Sequence, residues 1–227
     1  MNKIIFLMLI ITSIALPQKK MTIRKTDGTL FHMHTNVIQD ITFSDILKDT
    51  IAWYKFNNNI FDTSGYENHC KSTGIEHWSM DRFGNENGSL ACGPTFKTKI
   101  PNKPMFNFIG SFTISVWISP NEGIILDKGC YKCSIIGGKA QFILTDKNGF
   151  VQTIKGTIIL PVTTKFHNLT FIRDIDTDKI SIYVNDQLDV SVEDLSTSTF
   201  ENTNDISFGF HYQNIDELVI CSYACIP

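Results

Sequence analysis

The sequence has few charged residues and no cluster of lysine or arginine. Charged residues make up 19% of the 227, below the roughly 25% of average soluble domains, and the formal net charge is −3. Because nucleic acids and anionic membranes attract basic patches, neither is favoured as a partner. The sequence also lacks a second apolar run long enough for a membrane helix, so no membrane insertion of the mature chain is expected.

The one long apolar run lies near the N-terminus, at residues 4–16, directly after a short basic region at Asn2-Lys3. It is too short to span a bilayer and has the length of an export signal. The small residues Ser13 and Ala15 fit a cleavage site, so residues 1–15 are predicted to be a signal peptide. The mature protein is therefore expected to be secreted, extracellular or at the cell surface, with the periplasm as a further compartment. A buried N-terminal strand is the alternative interpretation.

No segment keeps a helical apolar stripe for long, whereas short alternating runs are frequent. Ile114, Val116 and Ile118 share one face of such a run, and the 17 phenylalanines with many isoleucines and threonines suit strands. Many short strands separated by Gly, Asn, Asp and Pro predict an all-β sandwich or barrel, here over residues 46–221 with a short tail at 222–227. Residues 20–44 form a separate unit, because Asp27-Gly28 between alternating runs predicts a β-hairpin.

Six cysteines fit an exported protein, because an even count in that compartment suggests disulfides. Cys221 with Cys225 and Cys130 with Cys133 are close pairs in sequence, which leaves Cys70 with Cys92. The alternative is a zinc site from the first four of these residues. Its two halves lie far apart in the chain and lack the usual context, so disulfides or buried thiols are expected instead.

Five segments in a fixed order carry a resemblance to a known family. They are Asp62–His69 after an aromatic strand, Asp81–Gly84, Phe112–Pro120, Phe166–Phe171 and Ile215–Leu218. Together, over residues 46–221, they resemble the bacterial laminin-G-like, concanavalin A-like jelly-roll domains. The resemblance implies a two-sheet antiparallel jelly-roll sandwich, and it implies a function only weakly because one fold hosts many functions.

The motifs of catalysis are missing. Glycanases of this fold carry paired carboxylates in the form Glu-x-Asp-x-x-Glu, and the sequence has no such run. Asp216 and Glu217 are adjacent, so in a strand they are expected to point to opposite faces and not to share a substrate. Neither a Gly-x-Ser-x-Gly elbow nor a His-Glu-x-x-His pair is present. The chain is therefore predicted not to be an enzyme.

The resemblance also implies a structural Ca²⁺ where the first loop meets the last strand. The matching positions are Asp62, Ser64, Gly65, Asn68 and Asp216, and oxygen ligands of this kind suit calcium. In the alternative interpretation, the two aspartates bond nearby backbone amides as turn and cap residues.

Sugar sites need exposed aromatic faces beside polar groups. Residues of this kind in predicted loops or strand ends are Trp78, Tyr66, Tyr131, His211 and Tyr212, unless they are packing residues. We therefore expect an exported, non-catalytic recognition module that binds a glycan or a cell-surface protein. The alternative is a structural or adhesion domain stabilised by calcium and disulfides, without a small ligand. A glycanase is a third and less favoured hypothesis.

Overall fold

The computed structural model describes residues 20–24, 30–34, 49–93 and 97–227. The predicted signal peptide, 1–15, lies outside them. The chain divides into two units, residues 1–46 and 47–227. In the first, β1 (Lys20–Arg24) pairs antiparallel with β2 (Leu30–His34), which confirms the predicted hairpin, although its Asp27-Gly28 turn lies outside the described residues.

The second unit is an all-β, two-sheet antiparallel sandwich, as predicted. Its strands are β3 (Thr50–Tyr54), β4 (Lys71–Ser72), β5 (Trp78–Ser79), β6 (Ser89–Ala91), β7 (Thr98–Ile100), β8 (Phe112–Ile118), β9 (Gly123–Asp127), β10 (Tyr131–Ile136), β11 (Lys139–Thr145), β12 (Val151–Lys155), β13 (His167–Asp174), β14 (Lys179–Val184), β15 (Gln187–Glu193), β16 (Ile206–Phe208) and β17 (Asn214–Cys221). A single 3-10 turn spans Pro104–Phe106 within this described unit. No helix among the described residues is long and apolar enough to cross a membrane.

One sheet has seven strands in the order β12-β11-β10-β9-β16-β7-β4. The other has eight: the path β15-β14-β13-β8-β17-β6-β5, with β3 also paired to β17. Strand β17 therefore lies at the centre of the second sheet, between β8 on one side and both β3 and β6 on the other. This position brings the end of the chain beside the first strand of the sandwich and the β5–β6 turn.

The core fills the space between the sheets with the apolar residues of the alternating strands. In β8, Ile114, Val116 and Ile118 are buried, while Trp117 on the other face is half-buried. An aromatic group occupies the centre, where the rings of Phe108 and Phe112 stack with their centroids 4.2 Å apart. Burying each such ring stabilises the fold by about 2–3 kcal/mol, so the sandwich rests mainly on these inward faces.

Two local features follow the sequence chemistry. The β14–β15 hairpin turns on Asn185 (φ 49°) and Asp186 (φ 64°), a left-handed pair that these two residue types tolerate. At the C-terminus, the tail 222–227 is fixed by hydrogen bonds: the Cys225 amide donates to Thr113 Oγ1 (2.8 Å), and that hydroxyl donates to the Tyr223 carbonyl (2.8 Å). The tail is thus attached to β8 through one threonine.

Candidate functional site

The turn between β5 and β6 is organised by the carboxylate of Asp81. It accepts hydrogen bonds from the backbone amides of Phe83 and Asn85, each at 2.8 Å, and from Asn85 Nδ2 at 2.8 Å. Gly84 takes a positive φ of 85° here, which glycine adopts without strain. The turn therefore has a defined shape, and it holds Arg82 and Phe83 out towards β17 and β8.

Arg82 joins this turn to the last strand by two ion pairs. Its Nη1 lies 2.5 Å from Asp216 Oδ2, and its Nη2 lies 3.0 Å from Glu217 Oε2. The Arg82 backbone amide donates to the same Asp216 oxygen at 3.3 Å. Glu217 in turn accepts a hydrogen bond of 2.6 Å from Trp53 Nε1. The first strand, the turn and the last strand are thereby connected through one charged network.

The expectation that Asp216 and Glu217 point to opposite faces is wrong. The pairing of β17 with β8 shifts register between Ile215 and Glu217, which marks a β-bulge with Asp216 as the extra residue. A bulge bends the strand and turns a side chain away from strict alternation, so both carboxylates reach one guanidinium. No sequence signal marked this bulge.

An open cleft lies beside this network and has a volume of about 670 Å³. We call it the Arg82 cleft; its lining residues are Asp81, Arg82, Phe83, Trp117, Thr164, Lys165 and Phe166. The guanidinium carbon of Arg82 lies 4.5 Å from the centroid of the Phe83 ring and 4.9 Å from that of Trp117. Phe83 is 74% exposed. The cleft thus combines aromatic surfaces with a fixed cation.

Within the part of the chain that the structure describes, some charged groups around the cleft have an ion-pair partner and others do not. Burial raises the pKa of Asp216 above its usual value, and this outweighs the lowering by the adjacent Arg82. Burial also lowers the pKa of His167, helped by the positive charge of Lys165. Lys165 itself is exposed and has no ion-pair partner among the described residues. The cleft therefore presents one unpaired cation at its rim, while Arg82 is held by carboxylates.

The predicted calcium residues lie in a loop built around Asp62. Asp62 Oδ1 accepts from the amides of Trp53 and Ser64, each at 2.9 Å, and Oδ2 accepts from Ser64 Oγ (2.8 Å) and the Asn68 amide (2.9 Å). Burial raises the pKa of Asp62, but the hydrogen bonds from these donors outweigh it and hold the pKa below its usual value. Gly65 turns the loop with φ 97°.

As arranged, these residues do not fit a cation. Calcium takes six to eight oxygen ligands, whereas Asp62 is surrounded by N–H and O–H donors and Asp216 is bound to Arg82. Asn68 Oδ1 is a buried oxygen without a hydrogen-bond partner, and it is a single ligand atom. No group of three or more His, Cys, Asp or Glu in the described part of the chain could hold a metal ion, zinc included. Calcium binding stays a prediction from the resemblance.

None of the five predicted ligand-binding aromatics lines the Arg82 cleft. Tyr131 lies at a strand end, as the first residue of β10, but it is fully buried and offers no exposed face to a ligand; its hydroxyl donates to the Phe106 carbonyl at 3.2 Å. Trp78 is half-buried and packs on the core from β5. Tyr66 donates its hydroxyl to Asp49 at 2.5 Å.

His211 and Tyr212 are exposed, as predicted, in the loop between β16 and β17. The His211 ring lies so close to Gly123 that a Cβ there would be 2.1 Å from it, so this ring packs against the start of β9. The residues that form the cleft were missed for two reasons. In the sequence, the turn at Asp81 indicates a structural element of the fold. Trp117 lies in a regular strand, a position that is typical of a core residue.

The six cysteines are free thiols, and the three predicted disulfide pairings are not present. Cys70, Cys92, Cys130, Cys133 and Cys221 are buried, and Cys225 is exposed. Buried thiols, the other expectation, describe five of the six.

Comparisons with known proteins give matches in structure alone. No family model matches the chain, and no curated protein matches it in sequence. The binding domain of Paraclostridial Mosquitocidal Protein 1 superimposes with a TM-score of 0.68 at 15% identity, over 80% of this chain and 50% of that one. The binding domain of botulinum neurotoxin DC matches in its complex with SialylT (TM-score 0.63, 16% identity, 80% and 50%) and in its complex with rat synaptotagmin II (0.62, 18%, 80% and 50%).

The chain spans about half the length of the solved structures that it matches. At these identities the likeness concerns the fold, and the laminin-G-like assignment stays a prediction. The sandwich has the same fold as part of the receptor-binding domains of clostridial neurotoxins.

Proposed function

We propose that this protein is an exported, non-catalytic recognition module that binds a glycan in the Arg82 cleft. The observation that carries the proposal is the arrangement of Phe83 and Trp117 about the Arg82 guanidinium, 4.5 and 4.9 Å from its carbon. Aromatic faces stack on the apolar face of a sugar ring, and a few fixed polar groups set its orientation.

The polar groups of the cleft suit a ligand with neutral hydroxyl groups. Arginine has five N–H donors, and Asp216 and Glu217 take a hydrogen bond from one terminal nitrogen each. The remaining guanidinium donors are held in place by these carboxylates. Because the side chains are already fixed, binding costs little side-chain entropy, which favours affinity.

The carboxylates of the site support a binding role over catalysis. Glycoside hydrolysis needs one protonated acid and one free carboxylate on either side of the scissile bond. Here Asp216 and Glu217 lie together on one cation, and their positions match a structural clamp. The structural neighbours are binding domains, and one of them was solved both with SialylT and with rat synaptotagmin II, which supports a binding role.

The test is a glycan array with the full chain, followed by affinity measurements for the best ligand with Phe83→Ala. Phe83 is 74% exposed, so its removal leaves the core unchanged while it removes one stacking surface. We expect a loss of about tenfold in affinity, the equivalent of ~1.4 kcal/mol. Ile109→Ala is the matched control, because Ile109 is an apolar residue 75% exposed outside the cleft.

Two results would contradict the proposal. Phe83→Ala could bind the glycan as tightly as the parent chain does, which would place the ligand elsewhere. Alternatively, the array could show no signal while the chain captures a cell-surface protein through the same cleft, in which case the partner is a protein.

A further inference from the structure

Charge is divided between the two sheets. The strands of the seven-stranded sheet carry one aspartate, Asp127, and five lysines: Lys71, Lys99, Lys132, Lys139 and Lys155. The strands of the eight-stranded sheet carry two cations, Arg173 and Lys179, and five carboxylates: Asp174, Asp189, Glu193, Asp216 and Glu217. In a chain of net charge −3, a sheet of this kind is a local excess of positive charge.

The five lysines lie on the outer face of their sheet, which we call the lysine face. Lys99 is flanked by the buried Thr98 and Ile100, and Lys132 by the buried Tyr131 and Cys133. In β11 and β12, the positions of Lys139 and Lys155 alternate in the same way with inward residues. Since alternate residues of a strand share a face, all five side chains point away from the core.

Three of these lysines form a row across the strands. Lys71 pairs with Lys99, Lys99 with Ser207, Ser207 with Asp127, and Asp127 with Lys132. At ~4.8 Å for each of the four steps, the row extends over about 19 Å. Asp127 lies 2.9 Å from the Lys132 ammonium, and Asp205 lies 3.8 Å from that of Lys99. Lys71, Lys139 and Lys155 have no ion-pair partner in the described residues.

A recess of about 540 Å³ opens in the middle of this row, and its lining carries Lys99 and Lys128 together with the carboxylates Asp127 and Asp205. Lys128 lies beneath it, 1% exposed, and donates to Asn102 Oδ1 at 2.7 Å and to the Asn204 carbonyl at 2.9 Å. These acceptors are neutral, so no carboxylate is hydrogen-bonded to the buried ammonium. The two cations of the recess are balanced by Asp127 and Asp205, so the excess positive charge of the lysine face lies outside it, at Lys71, Lys139 and Lys155.

We propose that the lysine face binds a sulfated polysaccharide through the three lysines that have no ion-pair partner in the described residues. These lysines lie in β4, β11 and β12, towards both edges of the sheet, and a linear polymer that carries anionic groups along its length can reach cations spaced in this way. A flat lipid surface fits less well, because the exposed large apolar residues on these strands are Ile136 and Val151, and neither is an aromatic anchor. This surface is separate from the Arg82 cleft, so it does not depend on the function proposed there.

The test is binding of the full chain to heparin oligosaccharides at several salt concentrations. The double variant Lys71→Gln/Lys155→Gln removes two unpaired cations from the lysine face. We expect about tenfold weaker binding at physiological salt, and a slope of log affinity against log salt that falls by roughly one for each lysine removed. Lys55→Gln/Lys179→Gln is the control with the same change in net charge, because Lys55 directly follows β3 and Lys179 lies in β14, both in the other sheet.

Several outcomes would overturn the proposal. Equal losses in the two double variants would mean that net charge alone governs binding. Equal affinity for a desulfated oligosaccharide of the same length would exclude the sulfate. Binding to phosphatidylserine vesicles without heparin binding would make the partner a membrane. In contrast, Phe83→Ala should bind heparin as the parent chain does, which separates this site from the Arg82 cleft.

Discussion

At the residue scale, Asp62 shows how one carboxylate can hold a loop. Its four hydrogen bonds come from Trp53, Ser64 and Asn68, so it joins the first strand to the turn that follows. The loop motif was recognisable in the sequence, where it suggested calcium. Hydrogen-bond donors and metal ligands compete for the same oxygens, and the sequence alone does not decide between them.

Replacement of Asp62 by asparagine should cost about 2 kcal/mol at neutral pH, because the new amide group would face N–H donors. The pKa of Asp62 lies below the unfolded-state value of about 3.9. Its stabilisation is therefore present above about pH 4 and is lost as the pH falls through the folded-state pKa. Denaturant unfolding of the parent and Asp62→Asn chains should show a difference that is large at pH 7 and shrinks towards pH 3.

Asp176→Asn is the control for this measurement, because Asp176 is an exposed carboxylate in the β13–β14 turn. It should leave the free energy of unfolding nearly unchanged at both pH values. A difference between the parent and Asp62→Asn chains that stays constant with pH would show that the carboxylate charge is not what stabilises the loop.

At the element scale, the β5–β6 turn links the fold to the candidate site. The motif Asp81–Gly84 was a clear sequence signal, and the structure shows why each part is needed. Gly88 matters as much, because a Cβ at that position would lie 2.8 Å from Asp81 Cβ and Oδ2. The absence of a side chain there lets the Asp81 carboxylate reach its three donors, and this in turn places Arg82.

Gly88→Ala should therefore displace Asp81 and with it the cleft. We expect a loss of stability of about 1–3 kcal/mol, typical of overpacking, together with weaker glycan binding. Gly93→Ala is the control, because its nearest contact would be an ordinary 3.8 Å from Tyr212. Thermal unfolding and affinity measurements test both variants. Glycan affinity that is unchanged in Gly88→Ala would show that the turn does not position the site.

Strand bulges explain why the site was harder to predict than the fold. Alternation in β8 identified its inward face correctly, since a regular strand follows a period of two. The shift at Asp216 breaks this period, and it depends on pairing with β8, a strand about a hundred residues earlier in the chain. The convergence of Asp216 and Glu217 on Arg82 thus comes from tertiary structure.

At the scale of the whole molecule, the reactivity of the cysteine thiols shows whether the fold is stabilised by its hydrophobic core alone or also by disulfides. Burial raises the pKa of Cys92 to about 12 and of Cys130 to about 11, which suppresses the reactive thiolate. In the native chain, an alkylating reagent should label Cys225 first. After unfolding without a reducing agent, all six cysteines should react, as counted by mass spectrometry.

Fewer than six labelled cysteines after unfolding would show that disulfides form when the chain is exported, as the even count suggested. Labelling after reduction then gives the number of cross-links, and peptide mapping gives their partners. The same experiment on the native chain is its own control, because Cys133 is fully buried in β10 and should stay unlabelled.

The lysine face can also be recognised only at the scale of the whole molecule. Its residues are spread from Lys71 to Lys155, with no basic run in the sequence, and the strand order of the sheet brings them onto one surface. The composition correctly gave a net negative chain. It could not give the position of each charge, because neighbours in the sheet, such as β7 and β16, are far apart in sequence.

The strands of the two layers, about 10 Å apart, carry net charges of opposite sign, so these strands together have an electric dipole. Near a polyanionic cell coat, such a dipole would experience a torque that turns the positive layer inward before any contact is made. The opposite layer, with Trp117 and Glu217 on its outer side, then faces outward. Approach in one orientation would shorten the search for the first contact, and it would leave the second surface free to engage a neighbouring chain of sugars.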